Sequence, residues 1–573
     1  MVENIRNRSI ELFKQFGLWL IPSLFLLVFY FLPFGNIIFT SISKSSSSFF
    51  VVLLTVLSSQ NIRQTIYFTF YQATLSTILT LVLGLPSAYL FARYDFKGKS
   101  FIRILTGLPF VMPTLVVAAA FSALIGSQGW INTLLMNIFN SKAPILNLSH
   151  TLAAILLAHI FYNTTIIIRI VGDFWSRLSP QLRSAAQVLG ANRIKSVVFV
   201  TIPLIMPAIL AAAILVFIFD FTSFGVILIL GGPKFGTMEV EIYYQTIGLF
   251  NLPTAAVLSL IQLFFTLLLT IIYTRLSNKI SKPLSLTSTK SSQNKLVSHK
   301  SKFFAGVILL LLISLTLLPL ISLIVKSFVS SYYIDHSINN HLFTLDFYRE
   351  LSINRRQSVT FSPPTTAIAV SFIYATLTVL FSLAIGLPAA YNFSRYGNNK
   401  INKILDPLLM LPLGTSAVTM GLGFIITFNK SPLNLRASPI IIPIAHTLIA
   451  LPFVVRILTP ALRSIQPRLK DAASVLGASP REVFQRIEYP IISKAIIVAA
   501  TFAFTISMGE FGATALLTRP EYTTIPVLIY RFLSRPGALN YGQAMALSTL
   551  LMVIVVIGMV VIEKLRILDV GEF

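Results

Sequence analysis

Long apolar segments, each bounded by polar or charged residues, recur along the whole chain. A helix needs about 20 apolar residues to cross a hydrocarbon core about 30 Å thick, and the pattern predicts twelve such helices. Their predicted bounds are 17–41, 66–92, 101–125, 151–171, 202–224, 253–274, 303–326, 364–393, 403–428, 439–459, 490–514 and 541–562. We therefore expect an all-α polytopic membrane protein embedded in a lipid bilayer.

The composition supports this interpretation. Of 573 residues, 55% are apolar and only 11% are charged, which is too little charge to cover a soluble surface. The chain has no cysteine, so disulfides and thiolate metal sites are excluded. The basic N-terminal segment precedes an apolar run too long for a signal peptide, and we expect it to remain as the first span.

The net charge of +25 carries information about orientation. With twelve spans, most of the lysine and arginine residues fall in the termini and in the loops on the same side as the termini. This positive-inside bias predicts that both termini are cytoplasmic. The basic composition then gives no reason to expect a nucleic-acid partner.

The chain divides into two related halves. A Ser/Lys-rich stretch at 276–302 reads as a flexible cytoplasmic linker between a first half at 1–275 and a second at 303–573. Motifs recur at constant spacing, including Phe224-Gly225 with Phe511-Gly512. An even number of spans in each half gives both halves the same orientation, related by an axis along the membrane normal.

One repeated stretch lies between apolar spans: SAAQVLGA at 184–191 and DAASVLGA at 471–478. In each copy a proline at the first helical position predicts where a short helix starts, and Gly190 or Gly477 supplies its left-handed cap. A second short helix should follow and end before Pro203 or Pro490. Each half is thus predicted to present a helix–Gly–helix elbow on the cytoplasmic face.

The elbow tips are rich in alanine and poor in charge, so another protein can approach their backbone closely. An amphipathic helix lying on the lipid surface is the alternative. It does not explain the matched Gly, Ala and Pro spacing in the two copies, and we favour docking of a partner protein.

These two stretches resemble the EAA loop of permease subunits of bacterial ATP-binding-cassette importers, and their duplication resembles the fused permeases of the ferric-iron and thiamine importers. The resemblance implies two separate ATPase subunits, a periplasmic or lipid-anchored solute-binding protein, and a multi-pass location in the inner membrane. It also implies the following ATPase-coupling residues: Ser184, Ala185, Ala186, Leu189, Gly190, Ala191, Pro203, Asp471, Ala472, Ala473, Leu476, Gly477, Ala478 and Pro490. The leading glutamate of the family motif is Asp471 in one copy and Ser184 in the other, so the first loop either docks more weakly or relies on a neighbouring contact.

The sequence predicts no enzyme activity in this chain. The closest approach to a phosphate-binding loop, RYDFKGKS at 93–100, lacks the first glycine and follows an apolar span instead of a strand. We expect no catalytic residues, no bound cofactor and no metal site, and ATP hydrolysis on a separate subunit.

Two carboxylates interrupt apolar spans, Asp220 in FDFTSFG and Glu510 in SMGEFG. Charges inside a membrane are costly and are functional candidates by default, so both are candidates for a cationic substrate's path. The alternative is that each caps a broken helix by accepting backbone hydrogen bonds. His159 and His446 occupy equivalent positions, and we expect interhelical hydrogen bonding from them in preference to metal binding.

Some alternatives stay open. The segments around Glu239 and Glu241 and at 518–531 either contact a binding protein or re-enter the membrane to close an outer gate. An ion-driven secondary transporter also has repeats and intramembrane acids, but it needs no paired elbows. Ferric iron and thiamine are about equally favoured as substrates, and a polyamine or a sulfate-like ligand is also considered.

Overall fold

The computed structural model describes residues 17–43, 49–280, 293–329, 343–353, 363–395, 400–429 and 434–569. Within these residues, eleven helices are long and apolar enough to cross a membrane. Two further helices pass the same test together but are joined at a 99° bend, and we count this bent pair as the twelfth span. The spans are α1 Gly17–Ser41, α2 Gln60–Arg93, α3 Thr114–Phe139, α4 Leu152–Ser176, α5 Ile194–Phe221, α6 Leu252–Leu276, α7 His299–Phe328, α8 Pro364–Arg395, α9 Ile404–Gly414 with Ala417–Thr427, α10 Ile441–Arg463, α11 Arg481–Gly509 and α12 Ala538–Ile562. The predicted all-α polytopic fold is confirmed.

Shorter elements connect the spans. The short helices are Phe49–Ser58, Lys99–Leu105, Leu108–Val111, Pro180–Val188, Gly225–Leu230, Met238–Tyr243, Asp346–Glu350, Pro467–Val475, Gly512–Leu517 and Ile525–Leu533. Strands Tyr94–Asp95 and Asn294–Lys295 form one parallel pair. Span α3 consists of two helices, Thr114–Ile125 and Trp130–Phe139.

The helix is interrupted before α3 and within α9, so the prediction of continuous helices at 101–125 and 403–428 was wrong. In the first half Met112 is extended, with ψ 136°, because Pro113 disfavours a helical conformation in the residue before it. In the second half the break falls at Thr415. There the Ser416 hydroxyl caps the new helix by accepting from the backbone N–H groups of Val418 and Thr419.

The fifth and eleventh spans also differ from their predicted bounds, 202–224 and 490–514. Their helices end at Phe221 and Gly509, and a new short helix starts a few residues later in each half. At the other end, the short helix expected before Pro203 or Pro490 is not separate. It runs through one π-helical turn into the span, and each proline lies near the start of the α-helical part, where a missing N–H costs least.

The linker predicted at 276–302 is shorter in the structure. The helix of α6 continues to Ile280, and α7 begins at His299. Residues 281–292 of the predicted linker lie outside the described residues. The strand Asn294–Lys295 pairs with Tyr94–Asp95, so the end of this connection is attached to the turn that follows α2.

The two halves interlock through their first spans. Span α1 packs on α9 of the opposite half, and α7 packs on α3 of the opposite half. The indole N–H of Trp19 donates to Asn402 at 2.9 Å, and the Tyr30 hydroxyl lies 2.6 Å from the Thr415 hydroxyl. Inside a membrane the hydrophobic effect does not drive helices together, so helix association depends on close packing and on interhelical hydrogen bonds such as these.

Within each half, the second, fourth and fifth spans form a tight bundle. The repeated Gly-Leu-Pro motif accounts for the close approach of the first two. A Cβ at Gly84 would lie 2.7 Å from the Cβ of Ile167, and one at the matching Gly386 would lie 2.8 Å from a Val454 methyl group. These glycines allow the backbones to approach closely, as small residues do at membrane helix interfaces.

Candidate substrate pathway and coupling elbows

The two elbows have the same backbone. The helices Pro180–Val188 and Pro467–Val475 each end in a glycine with positive φ, 91° at Gly190 and 83° at Gly477. In each copy the two N–H groups after the helix bond back to its last turn, from Ala191 to the Ala186 carbonyl and from Gly190 to the Gln187 carbonyl in the first. This is the Schellman arrangement, which favours glycine at that position.

Each elbow presents an apolar tip to the surroundings. Val188 and Leu189 are 86% and 88% exposed, and Val475 and Leu476 are 87% and 86% exposed. The two motifs have the same burial pattern position by position, with only the second and last alanines of each half-buried. Two exposed large apolar residues beside an open glycine are typical of a protein-docking surface.

The elbows differ in how they are anchored. Lys470 forms an ion pair with Glu488 at the foot of the second elbow, whereas the position that matches Glu488 in the first half is Thr201. The second copy also has a capping box at the start of the following helix, with the Ser479 N–H donating to Glu482 at 2.9 Å. Ser184 and Asp471 are both exposed at the start of the motif.

A cavity of 390 Å³, which we call the central cavity, lies between the two halves. It forms where four helix breaks meet: those before Thr114 and after Phe221 in the first half, and those before Ala417 and after Gly509 in the second. Irregular backbone at membrane depth is tolerated where it lines a cavity. Its polar lining side chains are Thr114, His159, Tyr162, Asn163, Asp220, Thr222, Ser223, Thr415, Ser416, Thr505 and Glu510.

Asp220 lies in the last turn of α5 and lines the central cavity while being only 1% exposed. Its carboxylate accepts from the Asn163 amide at 2.6 Å and lies 3.3 Å from Nδ1 of His159. Its backbone carbonyl accepts from Gln72 at 2.8 Å. Three helices of the first half therefore hold this acid at the cavity wall.

Glu510 lies immediately after α11, also at the cavity wall and 8% exposed. Its carboxylate accepts from the backbone N–H groups of Ala513 and Thr514 at 2.8 and 3.1 Å, so it caps the helix Gly512–Leu517. Nε2 of His446 lies 3.1 Å from the same carboxylate. The capping role considered from sequence is thus present for Glu510, and the acid lines the cavity as well.

The matched histidines make interhelical hydrogen bonds, as expected. Nε2 of His159 lies 2.9 Å from the Ser223 hydroxyl, and Nδ1 of His446 lies 2.7 Å from the Ser507 hydroxyl. Among the described residues, no group of three or more His, Asp or Glu side chains is placed to hold a metal ion.

Sequence reasoning did not find the position of Tyr162 in the cavity wall or the buried contact that Glu239 makes with the other half. Tyr162 lines the central cavity, and its hydroxyl donates to the Met112 carbonyl at the break before α3. Glu239, fully buried, accepts from Gln262 at 2.5 Å and from Ser416 of the other half at 2.6 Å. Its burial makes Glu239 unavailable for docking a soluble protein, although an acid among apolar residues gave a signal in the sequence.

Comparison with known proteins gives the family. A family model described as "Binding-protein-dependent transport system inner membrane component" matches residues 80–282 and again 382–566. The chain belongs to this family. It is the permease component of an ATP-binding-cassette importer, a transport subunit whose ATPase is a separate protein. A secondary transporter does not fit this family.

Two curated relatives have the same fused organisation along most of their length. The chain is 27% identical over 467 residues to the thiamine transport system permease protein ThiP of Haemophilus influenzae, covering 81% of this chain and 82% of that protein. It is 25% identical over 540 residues to the ferric transport system permease protein FbpB of Actinobacillus pleuropneumoniae, covering 93% and 76%. A solved bacterial ABC transporter involved in alginate import aligns with 49% of the chain at a TM-score of 0.41 and 17% identity.

Proposed function

We propose that this permease carries thiamine. The observation that supports this proposal is the central cavity itself, where Asp220 and Glu510 lie among aromatic side chains from both halves, including Phe110, Phe219 and Phe453. Thiamine is an organic cation with two aromatic rings, and carboxylates together with aromatic faces suit such a ligand. The relatives named for thiamine transport point in the same direction.

Ferric iron is the second candidate, because the relative named for ferric transport aligns with 93% of this chain. A ferric ion needs several oxygen or nitrogen ligands converging on one point. The described residues of the cavity contain two separated His–acid pairs and no such convergence. The cavity chemistry therefore favours thiamine.

The proposed coupling has one ATPase subunit on each elbow, two in total. The residues named from the family motif, 184–191 and 471–478, form these contacts, with the exposed tips Val188-Leu189 and Val475-Leu476 at their centre. Because ATP acts only through contacts that differ between two arrangements of the halves, both elbows transmit its effect. Each six-span half, 1–275 and 303–573, carries one elbow.

The proposed orientation places both termini, the 276–302 connection and both elbows in the cytoplasm, supported by the lysine and arginine distribution. A periplasmic or lipid-anchored solute-binding protein then delivers substrate to the opposite face. We call that face, remote from the elbows, the distal side.

The test is ATP-dependent uptake by the complete transporter, reconstituted in proteoliposomes with its ATPase and binding protein. We expect accumulation of radioactive thiamine and none of radioactive ferric iron. Iron uptake without thiamine uptake would replace the substrate assignment and leave the permease assignment intact.

A further inference from the structure

The repeated Phe-Gly motif brings four aromatic rings together across the interface between the halves, and we call this cluster the aromatic row. Phe224 stacks on Phe511 with ring centroids 5.3 Å apart and an interplanar angle of 16°. Tyr243 contacts Phe224 at 5.3 Å, and Tyr530 contacts Phe511 at 5.4 Å. The two tyrosine side chains are also hydrogen-bonded to each other, which closes the cluster. The phenylalanine pair and the tyrosine pair each consist of residues at matching positions in the repeat, so the cluster follows the pseudo-two-fold symmetry.

This aromatic row lies between two cavities. Phe224 and Phe511 line the central cavity. Tyr530 lines a second cavity of 550 Å³, which we call the distal cavity and which both halves also line through Gln128, Tyr244 and Arg535. The row therefore contributes side chains to both cavities and separates them at the interface between the halves.

The exposure of the aromatic side chains shows which end of the central cavity is closed. Phe224 and Phe511 are only 6% and 2% exposed. Phe110, which lines the same cavity and precedes the break before α3, is 37% exposed. The cavity is therefore sealed on the side of the aromatic row and more accessible away from it.

The glycine after each phenylalanine is required by close packing. A Cβ at Gly225 would lie 2.5 Å from the Thr114 hydroxyl oxygen, and one at Gly512 would lie 2.9 Å from the Ala417 Cβ. Thr114 begins α3 directly after the break that precedes it, and Ala417 begins the helix after the break in α9. Each phenylalanine thus sits at a junction of two broken spans, a few residues beyond the end of the span that leads from an elbow.

We propose that Phe224, Phe511, Tyr243 and Tyr530 form the distal gate of the transport pathway. The gate opens when the two halves part at the Phe224–Phe511 stack, and it closes by restacking. Aromatic pairs form a dry barrier, and each adds only a modest stabilisation beyond its buried area, so rearrangement at the elbows can separate them. The proposal depends on a pathway through the central cavity and not on the identity of the substrate.

The chain contains no cysteine, so single reporters can be introduced directly. The substitution Ile506→Cys places a thiol in the wall of the central cavity. In membrane vesicles carrying the complete transporter without ATP, a membrane-impermeant maleimide is added on the distal side. With Phe224→Ala and Phe511→Ala together, we expect labelling to be faster by about tenfold or more, because both the stack and its burial are lost.

The matched control is Phe221→Ala. Phe221 is fully buried against Phe70, three residues before the gate, and does not line the central cavity. It should leave labelling at the rate of the reporter alone. Equal acceleration by Phe221→Ala would mean that loosened packing exposes the thiol and would overturn the gate, as would no acceleration by the double variant.

A locked variant tests the same proposal without cavity-forming substitutions. In the otherwise unchanged chain, Tyr244→Cys and Arg535→Cys, which lie on opposite halves of the distal cavity and outside the gate, are joined by a bifunctional maleimide. We expect the joined form to lose ATP-dependent uptake and the unjoined form to retain it. Normal uptake by the joined form would contradict the proposal. Labelling of Ile506→Cys requires no substrate, so failure of the thiamine assignment is distinguished from failure of the gate.

Discussion

At the scale of single residues, each of the two matched histidines lies beside one acid and one serine, but the acid and the serine exchange their sequence positions between the halves. His159 is bracketed by Asp220 and Ser223, and His446 by Ser507 and Glu510. In the repeat, Asp220 aligns with Ser507 and Ser223 aligns with Glu510. Each half therefore places one carboxylate and one serine hydroxyl beside its histidine, although the two halves do not share the position of the acid. His446 has a second hydroxyl, that of Thr514, at 2.8 Å.

The acids give the first prediction. Asp220→Asn and Glu510→Gln keep the size of each side chain and remove its charge. For a cationic substrate we expect the KM of uptake to rise by about tenfold or more in each variant, because a hydrogen bond or contact to a charged group contributes about 1.5–3 kcal/mol.

The matched control for these variants is Glu241→Gln, whose carboxylate is half-buried, accepts from Gln245 and does not line the central cavity. Concentration dependence of uptake in proteoliposomes measures the effect. If both cavity variants transport normally while loss of an elbow abolishes uptake, the acids do not contact the substrate and Glu510 is only a helix cap.

At the scale of elements, the elbows carry the second prediction. Leu189→Asp and Leu476→Asp place a charge on each apolar tip, and Gly190→Arg and Gly477→Arg add bulk where the backbone is open and φ is positive. We expect each change to abolish uptake while membrane insertion stays normal, because a desolvated charge disrupts docking of the ATPase. Co-purification of the ATPase measures docking directly.

Two further variants test whether added bulk, backbone strain or any exposed charge accounts for a loss of uptake. Gly190→Ala keeps the tip small but imposes about 1–2 kcal/mol of left-handed strain, so it should retain most uptake if bulk decides. Val297→Asp charges another exposed apolar residue, 75% exposed and outside both elbows. Normal docking by the Gly→Arg variants, or equal loss with Val297→Asp, would contradict the coupling role.

Glu239 carries the third prediction, because it ties two elements of different halves together. It accepts from Gln262 on α6 and from Ser416, whose hydroxyl also caps the helix after the break in α9. Glu239→Ala leaves both partners without their acceptor in a buried place. We expect a loss of about 1–3 kcal/mol, measured as a lower melting temperature of the purified protein.

The neighbouring Glu241→Ala is the control for this change, since Glu241 is half-buried and bonded only within its own segment. The repeat does not duplicate this acid, because the position that matches Glu239 in the second half is Pro526. Equal melting temperatures of the two variants would show that the contact between halves contributes nothing measurable.

At the scale of the whole molecule, the interlocked first spans give the fourth prediction. A chain cut between residues 286 and 287, expressed as two fragments, should reassemble, because α1 and α7 each pack on the opposite half. We expect the fragments to co-purify and to support uptake with the other subunits. A first fragment that lacks residues 1–43, and hence α1, should bind the second fragment more weakly. If the full-length fragments fail to associate, the covalent connection holds the halves together.

Short-range signals in the sequence determined much of this molecule. The length of the apolar segments predicted the number of spans, and glycine and proline predicted where the elbow helices end, because both features depend on neighbouring residues. Direct comparison of the two halves showed which spans and elbows correspond. The same signals indicated a Pro113 break only weakly, because a proline inside a long apolar run is compatible with either a kinked or a broken membrane helix. At the break in α9 the local signal is weaker still, because the residue directly before the new helix is Ser416 and not a proline.

Only the tertiary structure decided which residues meet. The histidine–acid pairs, the contact of Glu239 with Ser416 and the stack of Phe224 on Phe511 join residues far apart in the chain. Their geometry depends on how four broken spans pack, and no local pattern encodes that packing. The sequence by itself therefore determined that this protein is a duplicated membrane permease with two glycine-capped elbows, whereas packing between the halves created the cavity and the aromatic row beside it.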